Sequence, residues 1–195
     1  MQTTKFQGLC NGTGRLTKTK TMKRIFLTLI TAVLILSCNQ GVQVTFDDDK
    51  SNAIRAHFQN YLNNDMDGLK ELWSPDLKVF LNSKKPIGVD DLVSMLEAQH
   101  SGFEPITMSF GEEGGEDLGV WVQTITYPAL GDYPSITLTQ SWFDWNATGK
   151  VSGNTIVLPA HIGFKWGENG KIIEEWHNYD TQEMMAELAL SEGSE

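Results

Sequence analysis

Cysteine and positive charge are scarce in this chain of 195 residues. Its two cysteines cannot form a disulfide-rich scaffold, and no Cys-x-x-Cys pair of the kind that binds zinc is present. Lysine and arginine number 15 against 25 aspartate and glutamate residues, a formal net charge of −10. Because nucleic-acid binding depends mainly on cationic side chains that contact phosphates, this charge argues against a nucleic-acid-binding protein. The hydrophobic fraction of 40% argues against a disordered chain, and the length suits one domain with tails.

Several catalytic and metal-binding motifs are also missing. The four histidines form no His-x-His or His-x-x-x-His pair, and the sequence has no EF-hand loop. It has neither a glycine-rich phosphate loop nor a Gly-x-Ser-x-Gly nucleophile elbow. We therefore expect no metal site and no cofactor.

The N-terminal segment 1–37 differs in character from the rest. Its six basic residues come with no acidic residue, and the last of them precede an apolar run at 25–36. This order is typical of a secretory signal peptide, and a run of 12 residues is shorter than the ~20 that a membrane-spanning helix needs. Ile35-Leu36-Ser37-Cys38 resembles the bacterial lipobox, in which the cysteine is lipidated and becomes the first residue of the mature protein.

The alternative for this segment is a short buried helix in which Cys38 is a small core residue. A globular helix that is apolar on every side is unusual, so we favour the signal peptide. The predicted location is the bacterial cell envelope, where the lipid on Cys38 would anchor the protein in a membrane, most naturally the outer membrane, facing the periplasm or the surface.

The signal peptide divides the chain into three parts. Met22 lies directly before two basic residues and suits a signal start better than Met1, so 1–21 is interpreted as an upstream extension within the segment 1–37. Residues 38–50 are predicted to be the lipidated cysteine and an acidic tether, and residues 51–190 a folded domain.

Removing the segment 1–37 also changes the charge. It takes away six of the 15 basic residues and none of the 25 acidic ones, so the formal charge goes from −10 to −16. Anionic lipid surfaces would repel such a domain, and membrane attachment is therefore assigned to the lipid rather than to electrostatics. The same charge favours a neutral or cationic ligand over an acidic one.

Hydrophobic periodicity in the domain predicts helices first and strands later. The first helix follows Ser51, a second lies around Leu69, a short strand covers 77–81, and a third helix covers 89–100. Further strands are predicted at 105–110, 118–127, 135–146, 155–166 and 171–176, and a last helix after Thr181. Helices followed by long antiparallel strands predict an α+β domain with the helices packed on one face of a curved sheet.

Three motifs in this order resemble the nuclear transport factor 2-like superfamily, in its SnoaL-like branch. They are Asn63-Asn64-Asp65-Met66-Asp67-Gly68, Gly88-Val89-Asp90-Asp91-Leu92, and Trp166-Gly167-Glu168-Asn169-Gly170-Lys171 with the strand that follows. The resemblance implies a cone-shaped, curved antiparallel sheet around a pocket that the helices close. It covers polyketide cyclases, isomerases, dehydratases and non-catalytic binding modules, so it does not by itself imply one function.

The resemblance to the cyclases implies that Asp180 is the acid/base residue at the end of the last strand. Because residues two apart on a strand share a face, Trp176 and Asp180 would look into the pocket together. The alternative is that Asp180 caps the final helix. His177 stands where the cyclases often carry an aspartate, and by the same alternation it would face away from the pocket.

The strand at 135–146 offers further candidates for ligand binding. If the face with Gln140, Trp142 and Asp144 points inward, Gln140 and Asp144 are polar groups among aromatics such as Trp142, as a binding pocket requires. If the other face points inward, Phe143 and Trp145 belong to the core and Asp144 is solvated. The sequence leaves both alternatives open.

The remaining histidines have less specific roles in the sequence. His100 lies at the end of the third helix, where it could cap the helix or contact a ligand at the pocket mouth. His161 is expected to be partly exposed and His57 solvated.

The composition and the resemblance together favour a lipid-anchored, extracytoplasmic module that binds a small molecule or assembles through its sheet face, with a homodimer as one form of assembly. The alternative is a cofactor-free acid/base enzyme of the cyclase, isomerase or dehydratase type that uses Asp180.

Overall fold

The computed structural model of the chain describes residues 41–111 and 118–192. The helices of this part are α1 (Asp49–Leu62), α2 (Met66–Lys70), α3 (Val89–Gly102) and α4 (Gln182–Glu192). Its strands are β1 (Gln43–Thr45), β2 (Trp73–Leu81), β3 (Phe103–Ser109), β4 (Trp121–Tyr127), β5 (Ile136–Gly149), β6 (Thr155–Trp166) and β7 (Ile172–Asn178). The predicted α+β class is confirmed, and from α1 onward the elements follow the predicted order.

The strands form one mixed sheet in the order β1-β4-β5-β6-β7-β2. β2 and β7 are parallel, and the other neighbours are antiparallel. β5 pairs with β4 through residues 136–142 and with β3 mainly through 144–147. The strands β3 and β4 therefore lie end to end along one edge of β5, while β6 occupies its other edge.

Burial along β5 shows which face of the sheet the helices cover. Phe143 and Trp145 are buried, whereas Gln140, Trp142 and Asp144 are only half-buried on the opposite face. The helices cover the first of these faces, called the inner face below, because the indole Nε1 of Trp145 donates to the hydroxyl of Tyr61 in α1 at 2.8 Å.

The core between the helices and the inner face is rich in aromatic rings. The ring of Phe58 in α1 meets Phe143 of β5 edge to face, with centroids 5.0 Å apart. Phe103 and Trp145 form a second edge-to-face pair at 5.1 Å. Such pairs stabilise a core beyond the effect of area burial alone.

Residues 41–50 of the segment predicted as a tether belong to the described part of the chain and contain regular secondary structure. Residues 43–45 form β1, which extends the sheet by pairing with β4. Asp48 caps α1 by accepting hydrogen bonds from the amides of Lys50 and Ser51, at 3.0 and 3.1 Å. The first helix therefore begins before Ser51, because the carboxylate three residues earlier is the better acceptor for its free amides.

The strand after the second helix also begins earlier than the predicted 77–81. β2 begins at Trp73, a residue that the sequence pattern assigns to the helix around Leu69, and it contains Pro75. Proline is tolerated here because β2 is an edge strand, and its register with β7 shifts between Trp73 and Lys78. Among the residues that the structure describes, no helix is long and apolar enough to cross a membrane.

Candidate functional site

A cavity lies between the helices and the inner face of the sheet. It contains about 70 Å³ of space open to the centres of water-sized molecules, which is several times the room that one water needs. Most of its wall is apolar, and this part includes Phe58, Leu69, Leu92, Leu96, Phe143, Leu158, Ala160, Ile162 and Phe164. The polar side chains in its lining are His57, Tyr61, Trp73, Gln99, Trp145, Glu175, His177 and Tyr179.

β7 supplies the charged end of the cavity. Glu175 and His177 are buried and line the cavity, as does Tyr179 just beyond the strand. Residues two apart on a strand share a face, so Trp176 is directed to the outer face of the sheet. There its ring stacks on Phe80 at 6.4 Å.

The predicted facing of β7 was therefore wrong. The structure places Trp176 on the outer face and His177 in the cavity, the reverse of the sequence interpretation. Asp180 is exposed and accepts a hydrogen bond from the amide of Gln182 at 2.9 Å, at the start of α4. This is the helix-capping alternative, and it leaves Asp180 outside the cavity lining.

The carboxylate of Glu175 is held on both sides. The indole Nε1 of Trp73 donates to its Oε1 at 2.6 Å, and Nε2 of His177 lies 2.7 Å from its Oε2. Because an ionised carboxylate only accepts, the hydrogen of this second bond lies on Nε2 of His177. The bond fixes the orientation of the imidazole, whose Nδ1 is buried and has no hydrogen-bond partner in the described part of the chain.

His57 lies beside this pair, on the cavity face of α1. Only 7% of its surface is exposed, and its ring meets Trp73 edge to face at 5.2 Å. Burial lowers the pKa of His57 to about 4. The charge of Glu175 acts in the opposite direction and raises the pKa, whereas that of His177 lowers it further. The imidazole is therefore neutral near pH 7, and no hydrogen bond to either of its nitrogens is found among residues 41–111 and 118–192.

A second polar group lies one helical turn away on α1. The hydroxyl of Tyr61 donates to Oε1 of Gln99 at 2.7 Å and accepts from Trp145 at 2.8 Å. Burial raises the pKa of Tyr61. The amide of Gln99 donates to the sulfur of Met184 at 3.4 Å, which connects this group to α4.

Tyr179 completes the polar lining. Burial, together with the negative charge of Glu175, raises the pKa of its hydroxyl to about 12, so the hydroxyl keeps its hydrogen near neutral pH. No hydrogen bond of this hydroxyl is found in the described residues. Tyr179 and His57 therefore present neutral polar groups in a lining that is otherwise mostly apolar.

The other predicted ligand-binding residues do not line the cavity. Gln140, Trp142 and Asp144 lie on the outer face, where the ring of Trp142 packs at a tilt against His161, with centroids 4.8 Å apart. This corrects the choice of that face of β5 as the pocket wall. His100 packs its ring against Tyr61 at 5.0 Å in the last turn of α3, outside the lining, and burial lowers its pKa.

The pattern that would have revealed His57 is present in the sequence. Ile54, His57, Phe58 and Tyr61 follow the spacing i, i+3, i+4, i+7 of a single buried helix face. Treating the histidine as a solvated neighbour of Phe58 overlooked this spacing. No comparable signal identifies Glu175, because both faces of β7 carry large or charged residues.

The buried His57 predicts a specific dependence of stability on pH. Its pKa of about 4 in the folded chain lies below the ordinary 6.5, so the unfolded chain takes up the proton first as the pH falls. The stabilisation is complete above pH 6.5 and is lost progressively toward pH 4, an effect of about 3 kcal/mol in the free energy of unfolding.

Chemical denaturation of the wild type and of His57→Phe between pH 7 and pH 4 measures this effect. The wild type is expected to lose stability more steeply than the variant. Parallel pH profiles for the two proteins would contradict the assignment, because both contain the same carboxylates.

No group of three or more His, Cys, Asp or Glu side chains in the described part of the chain is arranged to hold a metal ion. The cavity's own polar groups include a histidine held by a carboxylate, a neutral histidine and a protonated tyrosine, surrounded by apolar walls.

No protein-family model matches the chain, and no curated protein is significantly similar to it. Among solved structures it is similar to AclR of Streptomyces galilaeus, a proposed hydroxylase, with 14% identity over 72% of this chain and 96% of that one, at a TM-score of 0.52. It is also similar to IdmH of Streptomyces antibioticus, a proposed polyketide cyclase, with 16% identity over 73% of this chain and 99% of that one, at a TM-score of 0.51. A proposed SnoaL-like polyketide cyclase from Jannaschia sp. CCS1 has 13% identity over 71% of this chain and 90% of its own, at a TM-score of 0.51. At these identities the likeness shows the fold alone, the α+β fold that these proteins share with this chain.

Proposed function

We propose that the domain binds a small, largely apolar molecule in the cavity beside His57, Glu175 and His177. The observation that carries the proposal is a buried histidine without a hydrogen-bond partner in the wall of an apolar cavity. A ligand in this position fills the space and supplies the missing partner.

Two costs to stability coincide at this place. Empty space in a core forfeits packing energy, and a buried polar atom without a partner loses its hydration. A domain that needed only a core would be more stable with an apolar side chain at His57. Apolar walls combined with a few placed polar groups are the usual composition of small-molecule sites.

Fragment screening by thermal denaturation tests this function. A ligand that binds only the folded chain stabilises it by about 2.7 kcal/mol at a concentration a hundred times its Kd. We expect small aromatic or alicyclic fragments to raise the Tm. A library of such fragments that leaves the Tm unchanged would argue against a binding site.

Catalysis by proton transfer is the second candidate function, and the 2.7 Å contact between Glu175 and His177 favours it. A carboxylate that binds one ring nitrogen orients the imidazole and leaves the other nitrogen to exchange protons with a substrate. In this second proposal the acid/base role belongs to His177 in place of Asp180. The reaction would be a cofactor-free proton transfer of the isomerase, dehydratase or cyclase type.

Deuterium exchange tests whether His177 or Asp180 is the acid/base residue. Enolisable ketones incubated with the protein in D₂O are expected to gain deuterium next to the carbonyl. His177→Gln should slow this exchange by about 10²–10⁴-fold, the usual contribution of a general acid or base. Asp180→Asn serves as the control and should leave the rate unchanged. Loss of exchange in Asp180→Asn alone would return the role to Asp180.

We also propose that a lipid on Cys38 anchors the domain to a membrane of the cell envelope. Cys38 and the signal-like segment lie outside the described residues, and the support is the lipobox pattern in the sequence. The strong negative charge of the remainder makes electrostatic adhesion to anionic lipid unfavourable, so the anchor would act alone.

Replacing Cys38 by serine is expected to move the protein from the membrane fraction to the soluble fraction, because serine cannot carry the thioether-linked lipid. Fractionation followed by immunoblotting measures this. Cys10→Ser is the matched control and should leave the protein with the membrane. A Cys38→Ser protein that still sediments with the membrane would refute the anchor.

Assembly through the outer face of the sheet is a further part of the proposal. Three exposed aromatic rings cluster there, with Trp121 lying 5.3 Å from Phe46 and 5.5 Å from Phe110. Exposed apolar clusters of this kind often mark contact surfaces. A homodimer through this face predicts a dimer mass in light scattering, and a monomer mass at every concentration would contradict it.

A further inference from the structure

The hydrogen-bonding groups at the charged end of the cavity restrict the chemistry of the ligand. His57 offers one N–H donor and one bare nitrogen, since a neutral imidazole carries a single ring hydrogen. Neither nitrogen is bonded to a described residue, and the ring is enclosed by Trp73 and Phe164 at 5.2 and 6.5 Å. The two nitrogens lie on different edges of the ring, so a ligand group beside one of them meets a donor or an acceptor, depending on the tautomer.

Glu175 is the one buried carboxylate of the cavity lining among the described residues, and both of its oxygens are already bonded, to Trp73 and His177. A cationic ligand would therefore meet only carboxylate oxygens that already accept a hydrogen bond, and its charge would be buried without full compensation. An anionic ligand would be placed near its negative charge in a medium of low dielectric constant. Both kinds of charge are costly to bury without compensation.

A hydroxyl group meets these requirements better than the other common neutral groups. It both donates and accepts, so it can pair with the nitrogen of His57 that faces it in either tautomer. A carbonyl or ether oxygen only accepts, so it can pair with His57 only in the tautomer that presents the N–H to it. The hydroxyl of Tyr179, which lines the same cavity, is a second neutral group with the same dual capacity.

We propose that the ligand is an uncharged hydroxyl compound with an apolar body, and that its hydroxyl group hydrogen-bonds His57. This rests on the proposed function, because it presumes that the cavity takes a ligand. It adds the chemical class and the residue that selects it.

Isothermal titration of the full-length protein with five small molecules of similar size tests whether the cavity prefers an uncharged hydroxyl compound. Phenol donates and accepts, anisole only accepts, toluene does neither, and benzoate and benzylammonium carry a charge. Phenol is expected to bind about tenfold more tightly than toluene or anisole, the usual effect of one net hydrogen bond. The two charged probes should bind more weakly than toluene.

His57→Phe retains a ring and removes both nitrogens, so it should bring phenol and toluene to similar affinities. The matched control is His161→Phe, the same substitution on the outer face, which should keep the preference for phenol. Thermal melting of both variants establishes that they are folded.

The outcomes distinguish the two proposals. If toluene or a charged probe binds the wild type as tightly as phenol, or if His57→Phe keeps the preference, the hydroxyl inference is overturned while the cavity remains a binding site. If none of the five probes binds, the binding function fails together with the inference.

Discussion

Replacing Glu175 by alanine is expected to lower the free energy of unfolding by about 2–6 kcal/mol, because two buried donors lose their acceptor at a cost of about 1–3 kcal/mol each. Glu175 is only 2% exposed, and it accepts hydrogen bonds from Trp73 in β2 and from His177. Alanine would leave the indole N–H and the imidazole N–H buried without an acceptor. It would also enlarge the cavity and so remove packing contacts.

Glu174→Ala is the matched control for this variant. Glu174 is the neighbouring residue on β7, but it lies on the outer face, where its carboxylate is 2.9 Å from Nζ of Lys165 and partly exposed. Exposed pairs of this kind contribute about 0–1 kcal/mol. Urea denaturation of the wild type and of both variants gives the comparison. Equal losses for Glu174→Ala and Glu175→Ala would mean that Glu175 is not part of a buried pair.

Filling the cavity is expected to abolish ligand binding. Ala160 lies on β6 and lines the cavity, so leucine at this position would occupy part of the space now open to a ligand. We expect Ala160→Leu to weaken binding of the tightest fragment by at least about a hundredfold, equivalent to about 2.7 kcal/mol of binding free energy. The added side chain replaces the ligand in its contacts, so the fold is expected to persist.

Val157→Leu is the control for this second variant, because Val157 is exposed on the outer face of the same strand. It should bind the fragment as the wild type does. Isothermal titration measures the three affinities. An unchanged affinity in Ala160→Leu would locate the ligand outside the cavity.

Much of this fold could be predicted from the spacing of hydrophobic residues a few positions apart in the sequence. The helical spacing around Phe58 and the alternation along β5 and β6 predicted helices and strands close to their observed bounds. The strand β1 was missed because three residues carry too little periodicity to be separated from a polar tether. It exists through its pairing with β4, which is a long-range interaction.

The site was predicted less well, for a physical reason. Alternation along a strand divides residues into two faces but does not say which face the helices cover. On β7, Trp176 and Asp180 suggested the inner face, while the carboxylate and imidazole that line the cavity belong to the other set. What decides is the neighbouring strand, since the indole of Trp73 on β2 lies on the inner face, 2.6 Å from the carboxylate of Glu175.

The same division of faces separates five of the six tryptophans into two sets that report on the central claim. Trp73 and Trp145 line the cavity, and their indole N–H groups bond to Glu175 and Tyr61. The outer-face set consists of Trp121, Trp142 and Trp176. The indole N–H signals in an NMR spectrum, assigned by substitution, can therefore locate a bound molecule.

Titration of the protein with the tightest fragment, followed through these indole N–H signals, tests the account most directly. The signals of Trp73 and Trp145 are expected to shift with a single saturating curve, while those of the outer-face set stay in place. Shifts confined to the outer-face set, with Trp73 and Trp145 unmoved, would contradict a binding site inside the cavity.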